Sequence, residues 1–174
     1  MTIEEEKKMY HYYYKKEDFG VCLMECKGDG KEAIMPVDQD ILVVYDDIFK
    51  GNKELERAEF PDSVIEIGGF VFDGCENLKQ VKLPSNLKDF WQYAMTRCGI
   101  EEIEIPGSVT RIASFAFNQC DQLKTVKINE GTEKILAWAF KDCAQLTDVY
   151  LPTTIKEIDD QAFEGSPNVV LHRK

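Results

Sequence analysis

Apolar residues recur along residues 61–174 in a fixed order, which repeats every 22 or 23 residues. The clearest copy is residues 106–128, PGSVTRIASFAFNQCDQLKTVKI, which ends in an apolar–polar–apolar run. Runs of this kind place alternate side chains on opposite faces and are typical of short β-strands. One unit is too short to enclose a core, so neighbouring units must stack to bury their apolar edges. The pattern predicts a repeat solenoid.

Each unit places the same residue types in the same slots. A strand run is followed by Pro or Asn, then by an apolar pair, a large anchor, a small Cys or Ser and a final apolar residue. Pro cannot donate to a strand ladder, so it ends each strand. We expect a mainly β solenoid of about five to six units, with short 3-10 or turn segments and one short parallel sheet along the strand face. The anchors are Phe72, Met95, Phe117, Phe140 and Phe163.

The chain is predicted to consist of a cap, residues 1–35, and a solenoid, residues 36–174. The first repeat is irregular because extra residues are inserted before its apolar slots. The predicted repeats are 36–60 for this irregular copy, followed by 61–83, 84–105, 106–128, 129–151 and 152–174.

The cap shows two local patterns. Thr2 and Glu5 have capping-box spacing, which predicts a short helix within residues 1–18. Residues 21–26 and 32–35 are strand-like and are expected to pair as a hairpin around a Gly-Asp-Gly turn. The tyrosines at 10 and 12–14 are expected to cover the open end of the stack.

One unit departs from the common length. Cys98 and Ile100 are separated by one residue fewer than their counterparts, and Met95 replaces the usual Phe anchor. Gly99 allows the backbone angles that a shortened turn needs. This predicts a local irregularity of the stack and not a binding site.

The cysteines follow the repeat. Cys75, Cys98, Cys120 and Cys143 are 23, 22 and 23 residues apart, which is the repeat period itself. We interpret them as one structural slot holding small, buried, reduced thiols. No pair has the C-x-x-C spacing of a zinc or redox site.

Charge and composition exclude several classes of function. The net charge of −11 argues against nucleic acid and anionic membrane as partners. No apolar run reaches the roughly 20 residues of a membrane span, so no membrane insertion is expected. The start of the chain lacks a secretory signal, which predicts a cytoplasmic protein, or a cell-surface or secreted one if a signal has been removed.

Catalytic and metal-binding patterns are missing from the sequence. The two histidines, His11 and His172, lie near the ends of the chain, and no Cys–His or Ser–His–Asp spacing is recognisable. The acidic residues of 38–47 lack the ligand spacing of a calcium loop. We predict that the protein is not an enzyme and uses no cofactor or metal.

The repeated motif L-P-x-S-V-x-x-I-x-x-x-A-F-x-x-C-x-x-L-x-x-V-x-I resembles the BspA-type leucine-rich repeat, found mainly in bacteria and in some protists. The resemblance covers about residues 61–171 and extends weakly to 36–60. It implies a right-handed leucine-rich-repeat coil without shared catalytic residues. Family members at the cell surface act as adhesins, which implies an alternative role as a binder of extracellular host proteins.

Two sets of outward residues are candidates for protein binding. The first lies two residues before the anchors and should form a vertical ladder of aromatic rings, which either stabilises the solenoid or binds a partner. It comprises Phe70, Tyr93, Phe115 and Trp138, with Trp91 beside it. The second lies on the strand face, where opposite charges are expected to pair between units. It comprises Lys82, Glu104, Lys127 and Tyr150.

We therefore predict a non-enzymatic protein–protein interaction module that presents a rigid repeat surface to an unknown protein partner. The last strand, residues 169–171, should leave one edge unpaired. It is either protected by the basic residues that follow it or pairs end-to-end in a homodimer.

Overall fold

The computed structural model describes Thr2 and residues 9–173. Every helix or strand element in this part of the chain is a strand, and the backbone makes about seven turns with a repeat spacing of about 23 residues. This confirms the predicted repeat solenoid. The strands are β1 (His11–Glu17), β2 (Gly20–Lys27), β3 (Glu32–Ile34), β4 (Ile41–Val44), β5 (Arg57–Glu59), β6 (Glu66–Ile67), β7 (Gln80–Lys82), β8 (Asp89–Phe90), β9 (Glu102–Ile105), β10 (Arg111–Ile112), β11 (Thr125–Ile128), β12 (Lys134–Ile135), β13 (Asp148–Leu151), β14 (Glu157–Ile158) and β15 (Val170–Arg173).

Each turn contributes one strand to each of two parallel ladders. The first face holds the odd-numbered strands from β3 to β15, and the second face holds the even-numbered strands from β2 to β14. Only the first ladder was predicted from the sequence. Most strands of the second are two residues long, such as β6 and β8, and two residues cannot show an alternating pattern.

The core lies between the two faces and the turns that follow the second face. Phe anchors of adjacent turns stack there with nearly parallel rings, as in Phe117–Phe140 at 5.0 Å and Phe140–Phe163 at 5.4 Å between centroids. Phe49 and Phe72 form the corresponding stack at the other end, at 5.4 Å. The aromatic anchors of one turn are therefore buried by the anchors of the next turn, which a single turn could not achieve.

The recurring cysteine has a specific structural role. The thiol of Cys75 donates to the carbonyl of Phe49, and that of Cys143 to Phe117, both in the preceding turn. Ser166 makes the same bond to Phe140 at 2.7 Å. In these turns a small side chain with a weak donor satisfies a buried carbonyl of the preceding turn, whereas the thiol of Cys98, in the short unit, donates to Met95 O of its own turn. All six cysteines are free and five are buried, which confirms the structural interpretation.

The N-terminal region corrects two predictions. The described part of the predicted helix is a strand, β1, which pairs antiparallel with β2, whereas Glu5 lies outside the described residues. The alternating exposure of β1 shows that its tyrosines have a strand period and not a helical one. Tyr10, Tyr12 and Tyr14 pack against the core.

The hairpin predicted from residues 21–26 and 32–35 does not form. β2 pairs in parallel with β4, and β3 pairs in parallel with β5, so the segment between β2 and β3 connects the two faces of the solenoid within one turn. The hairpin turn lies at Asp18 and Phe19, between β1 and β2. Gly28, with φ of 137°, helps the chain turn between the two faces.

The predicted irregularity at Cys98–Ile100 is confirmed. Each ladder is interrupted once beside the short unit: β8 pairs with β6 but not with β10, and β9 pairs with β11 but not with β7. The turns continue across the break, since Phe72 N donates to Ala94 O at 2.8 Å and Met95 N to Ala116 O at 2.9 Å. Arg97 adds a two-pronged ion pair with the buried Asp73 of the preceding turn.

The last strand leaves one edge open among the described residues. β15 pairs with β13 alone, and Val170 and Leu171 are exposed. An end-to-end dimer through this edge stays a prediction.

Candidate functional site: an aromatic groove on the second face

The predicted aromatic ladder is present in the turns that follow the second face. Phe70 stacks on Tyr93 at 5.0 Å, Tyr93 on Phe115 at 4.9 Å and Phe115 on Trp138 at 5.1 Å, with interplanar angles of 5°, 8° and 19°. Three of the four rings are half-buried, and Phe70 at the N-terminal end is exposed. The ring faces are largely covered by one another, which favours a structural contribution along most of the ladder.

All four ladder residues have left-handed backbone angles. Their φ values are 57° to 62°, a region that costs an L-residue about 1–2 kcal/mol. Each stacked pair returns about 0.5–1.5 kcal/mol beyond burial. Stacking therefore helps to hold a tight turn that would otherwise favour Gly, and the sequence places an aromatic ring there in four successive turns.

The N-terminal end of the ladder opens into a groove of about 850 Å³ on the second face. Its floor contains Val43 and Ile65, and aromatic side chains form its walls. Several of these aromatics are open to solvent: Phe19 at 62%, Trp91 at 53%, Tyr45 at 38% and Phe70 at 37%. Contiguous exposed aromatic surface of this kind marks interaction sites.

The groove is acidic. Among its lining residues the charged ones are Asp46 and Glu66, and no Lys or Arg is among them. Glu66 Oε1 accepts a hydrogen bond from the Trp91 indole at 2.8 Å, and Asp46 Oδ1 accepts one from Gly69 N at 2.7 Å. Glu66 thus fixes the orientation of the Trp91 indole, and Asp46 holds the backbone at Gly69.

Four chain segments that are distant in sequence meet at the groove. The hairpin turn brings Phe19, the end of β4 brings Tyr45, and the ends of β6 and β8 bring Phe70 and Trp91. Gly68 and Gly69 lie between the aromatic walls. A Cβ on Gly68 would lie 2.4 Å from Asp46 Oδ1 and 2.7 Å from Asp46 N, so the close approach of the preceding turn requires glycine there.

The structure separates the predicted binding residues into three groups. Phe70, Tyr93 and Trp91 converge on the groove, whereas Phe115 and Trp138 continue the ladder beyond it. Phe19 and Tyr45 were missed because they lie outside the regular repeats. The sequence did contain one indication of the groove. The slot of Leu42 and Ile65 is apolar in the first turns, and it is polar or charged in every later turn.

The strand-face candidates lie elsewhere, along a shallow depression of about 440 Å³ on the first face. Lys127 pairs with Glu104 at 2.9 Å, and hydrogen bonds from Asn129 and Lys127 hold the pKa of Glu104 below its usual value. The predicted pairing of Lys82 with Glu104 is not formed within 4.0 Å between these described residues, because the ladder is interrupted between β7 and β9. Tyr150 stacks on His172 at 4.6 Å. This face is largely self-neutralised.

The buried thiols are poor candidates for chemistry. Burial raises the pKa of Cys75 and of Cys143 to about 12, so neither is a thiolate near neutral pH. In the described part of the chain, no three His, Cys, Asp or Glu side chains are grouped to hold a metal ion. The described residues contain no helix that is long and apolar enough to cross a membrane.

The fold is a leucine-rich-repeat solenoid. It has parallel ladders on two faces, a stacked apolar core and a repeat period of about 23 residues. The BspA type leucine rich repeat region matches in six copies over residues 43–170, and the chain therefore belongs to that family. A search of curated protein sequences finds none that matches.

Solved structures of bacterial leucine-rich repeat proteins share the fold. The T. pallidum Leucine Rich Repeat protein is 26% identical, with a TM-score of 0.77 over 93% of this chain and 83% of that one. A leucine rich cell surface protein from Faecalibacterium prausnitzii is 20% identical, with a TM-score of 0.63 over 95% and 55% of the two chains. A leucine-rich repeat protein from Bacteroides ovatus is 23% identical, with a TM-score of 0.58 over 92% and 51%. The chain spans about half the length of the last two.

Proposed function

We propose that this protein is a non-enzymatic interaction module that binds a protein partner in the aromatic groove of the second face. The observation that carries the proposal is the concentration of exposed aromatic side chains at one place on an otherwise charged surface. Leucine-rich-repeat solenoids present extended rigid surfaces, and their families are generally non-enzymatic.

The composition of the groove supports protein binding. Trp and Tyr are enriched among the few residues that carry most of the binding energy at protein interfaces, and these residues cluster at well-packed central positions. Trp91, Tyr93 and Tyr45 lie together here above an apolar floor. The turns that carry them are fixed by backbone hydrogen bonds to their neighbours, so binding orders little additional chain.

The rest of the second face argues for the same location. Beyond the groove, ion pairs cover the corresponding positions: Lys134 with Glu157 and Lys156 with Glu133, both at 2.7 Å. Exposed pairs contribute little to stability but make a surface poorly suited to an apolar partner. Among the described residues, the exposed aromatic side chains of this face are concentrated at the groove.

The test is capture of partners by the tagged, purified chain and by two variants. Trp91→Ser should remove the captured protein, whereas Leu136→Ser, in the same slot two turns later, should not. Two sources of partner, native lysate and host plasma or matrix proteins, distinguish a cellular partner from the extracellular one expected of an adhesin. Equal capture by wild type and Trp91→Ser would show that the groove is not the binding surface.

A further inference from the structure

The groove contains a gap in a series of aromatic side chains. Tyr45, Gly68 and Trp91 occupy the same slot of three successive turns, as their backbone hydrogen bonds show: Tyr45 N donates to Leu23 O at 3.0 Å, Gly68 N to Val44 O at 2.8 Å and Trp91 N to Ile67 O at 3.0 Å. Adjacent strands are about 4.8 Å apart, so the backbones of Tyr45 and Trp91 are separated by about 10 Å. That spacing leaves room for one planar group between the two side chains.

The neighbouring ladder shows what spacing such a group would adopt. Four rings stack there at 4.9–5.1 Å in consecutive turns. A planar group at the level of Gly68 would reproduce that spacing with Tyr45 on one side and Trp91 on the other. The chain cannot supply the group itself, because a Cβ at Gly68 would be too close to Asp46.

The carboxylates beside the gap favour binding of a cation. Asp46 and Glu66 line it, and within the described residues neither carboxylate lies in ion-pair distance of a Lys or Arg. By contrast, Asp89 and Glu157, in the same slot of β8 and β14, are within 4.0 Å of Arg111 and Lys134. The nearby Lys50 is engaged by Asp47 at 2.9 Å and lies 4.6 Å from the centre of the Phe70 ring.

Only one protein side chain is both planar and permanently cationic. The arginine guanidinium stacks on aromatic faces and presents several N–H donors to carboxylates. Lysine supplies the charge without the plane, and an aromatic side chain supplies the plane without the charge.

We infer that the groove binds a partner segment through an arginine side chain, whose guanidinium enters the gap at Gly68 between Tyr45 and Trp91. Its N–H groups donate to the carboxylates of Glu66 and Asp46. Apolar residues beside the arginine cover Val43, Ile65 and Phe19. This inference rests on the proposed protein-binding function and specifies the chemistry of the partner.

The probes are four capped tripeptides, Leu-Arg-Leu, Leu-Lys-Leu, Leu-Leu-Leu and Leu-Glu-Leu, titrated into the ¹⁵N-labelled full chain. The Trp91 indole N–H signal, assigned with Trp91→Phe, reports on the gap. The arginine peptide should shift this signal and bind about tenfold more tightly than the leucine peptide, since a desolvated cation–aromatic contact and a paired charge are each of that order. The lysine peptide should fall between them, and the glutamate peptide should leave the signal unchanged.

Two variants test the charge separately from the fold. Glu66→Gln keeps an acceptor for the Trp91 indole but removes the negative charge, and should weaken the arginine peptide about fivefold to tenfold. Glu157→Gln, in the same slot at the other end of the second face, should leave its affinity unchanged. Affinity of the wild type for this peptide should also fall as salt is raised.

Three results would overturn the inference: no shift with the arginine peptide, equal affinity for the arginine and leucine or lysine peptides, or no effect of Glu66→Gln. They leave the proposed function standing if Trp91→Ser still abolishes capture of the natural partner. Capture that is insensitive to Trp91→Ser would overturn the proposed function itself.

Discussion

The two ends of the second face have the same backbone and different outer surfaces. In the N-terminal turns the outward slots hold Val43, Ile65 and Trp91, which line an apolar groove. In the C-terminal turns the slot of Val43 holds Lys134 and Glu157, and the slot of Ile65 holds Glu133 and Lys156; each of these two pairs forms an ion pair. The inward residues, such as Ile67 and Ile135, are buried in both regions.

This difference separates two kinds of information in a repeat sequence. Slots that face the core are constrained by the stacking of turn on turn and therefore recur. Outward slots are free to vary, so a departure from their usual polar character is the signal of a specific site. The N-terminal turns show that departure.

Removing a buried anchor ring should have the largest effect on stability, and this effect should be the same in both regions. Phe72→Ala and Phe117→Ala each remove a fully buried ring from the shared core and should destabilise the protein by about 3–5 kcal/mol. Denaturant unfolding of both variants measures this. A cost confined to one variant would show that the two regions do not share one cooperative core.

Substitutions in the aromatic ladder should have a smaller effect on stability, and its size should depend on the left-handed backbone of the ladder residues. Phe115→Ala loses two stacked contacts, worth about 1–3 kcal/mol together, and leaves an L-residue at φ of 59°. Phe115→Gly loses the same contacts but relieves the left-handed strain, so it should be more stable than Phe115→Ala by about 1 kcal/mol. If the alanine variant is the more stable one, the strained turn does not explain the ladder. Neither variant should alter partner capture.

Acid should weaken the ion-paired turns. A hydrogen bond and the charge of Lys124 hold the pKa of Glu101 below its usual value, and Thr147 and His172 do the same for Asp148. A lowered carboxyl pKa in the folded state contributes stability above the ordinary value, and this is lost as the pH falls through the folded pKa. The denaturant concentration at the midpoint of unfolding should therefore decrease as the pH is lowered below about 4.5. Lys124→Gln should reduce the Glu101 part of that drop, and an unchanged pH profile in this variant would contradict the assignment.

The smallest effect should come from single exposed pairs of the second face. Lys134→Gln breaks the pair with Glu157, and should change the free energy of unfolding by less than about 1 kcal/mol. A double-mutant cycle with Glu157→Gln measures the pair directly. A coupling well above that limit would mean that the charged surface is a main source of stability for the C-terminal turns.

The sequence was sufficient to predict the repeat and insufficient to predict the second ladder of strands. The anchor, thiol and strand slots recur because each turn buries the same volume against its neighbours, which makes them visible as a period. Two-residue strands such as Lys134–Ile135 depend on hydrogen bonds from the next turn and have no period of their own. The pairing of β2 with β4 instead of β3 was missed for a different reason: the Gly-Asp-Gly segment after β2 is typical of a hairpin turn, and parallel pairing with the next turn leaves no pattern within either strand.

The candidate site was only partly predictable. Phe70, Tyr93 and Trp91 could be identified because they occupy slots that the repeat leaves free. Phe19 and Tyr45 join them only through the hairpin turn and the first turns of the solenoid, which carry no regular copy of the motif. The change at Ile65, which is Lys88 one turn later, was the available clue.

Site-specific photo-crosslinking locates the bound partner on the surface of the solenoid. p-Benzoylphenylalanine replaces Gln92, an exposed residue of the groove, in one protein and Asp160, an exposed residue in the corresponding slot of the last turn, in another. The captured partner should be crosslinked from position 92 and not from position 160. Crosslinking from position 160 alone, or equal yields from both positions, would contradict binding in the groove.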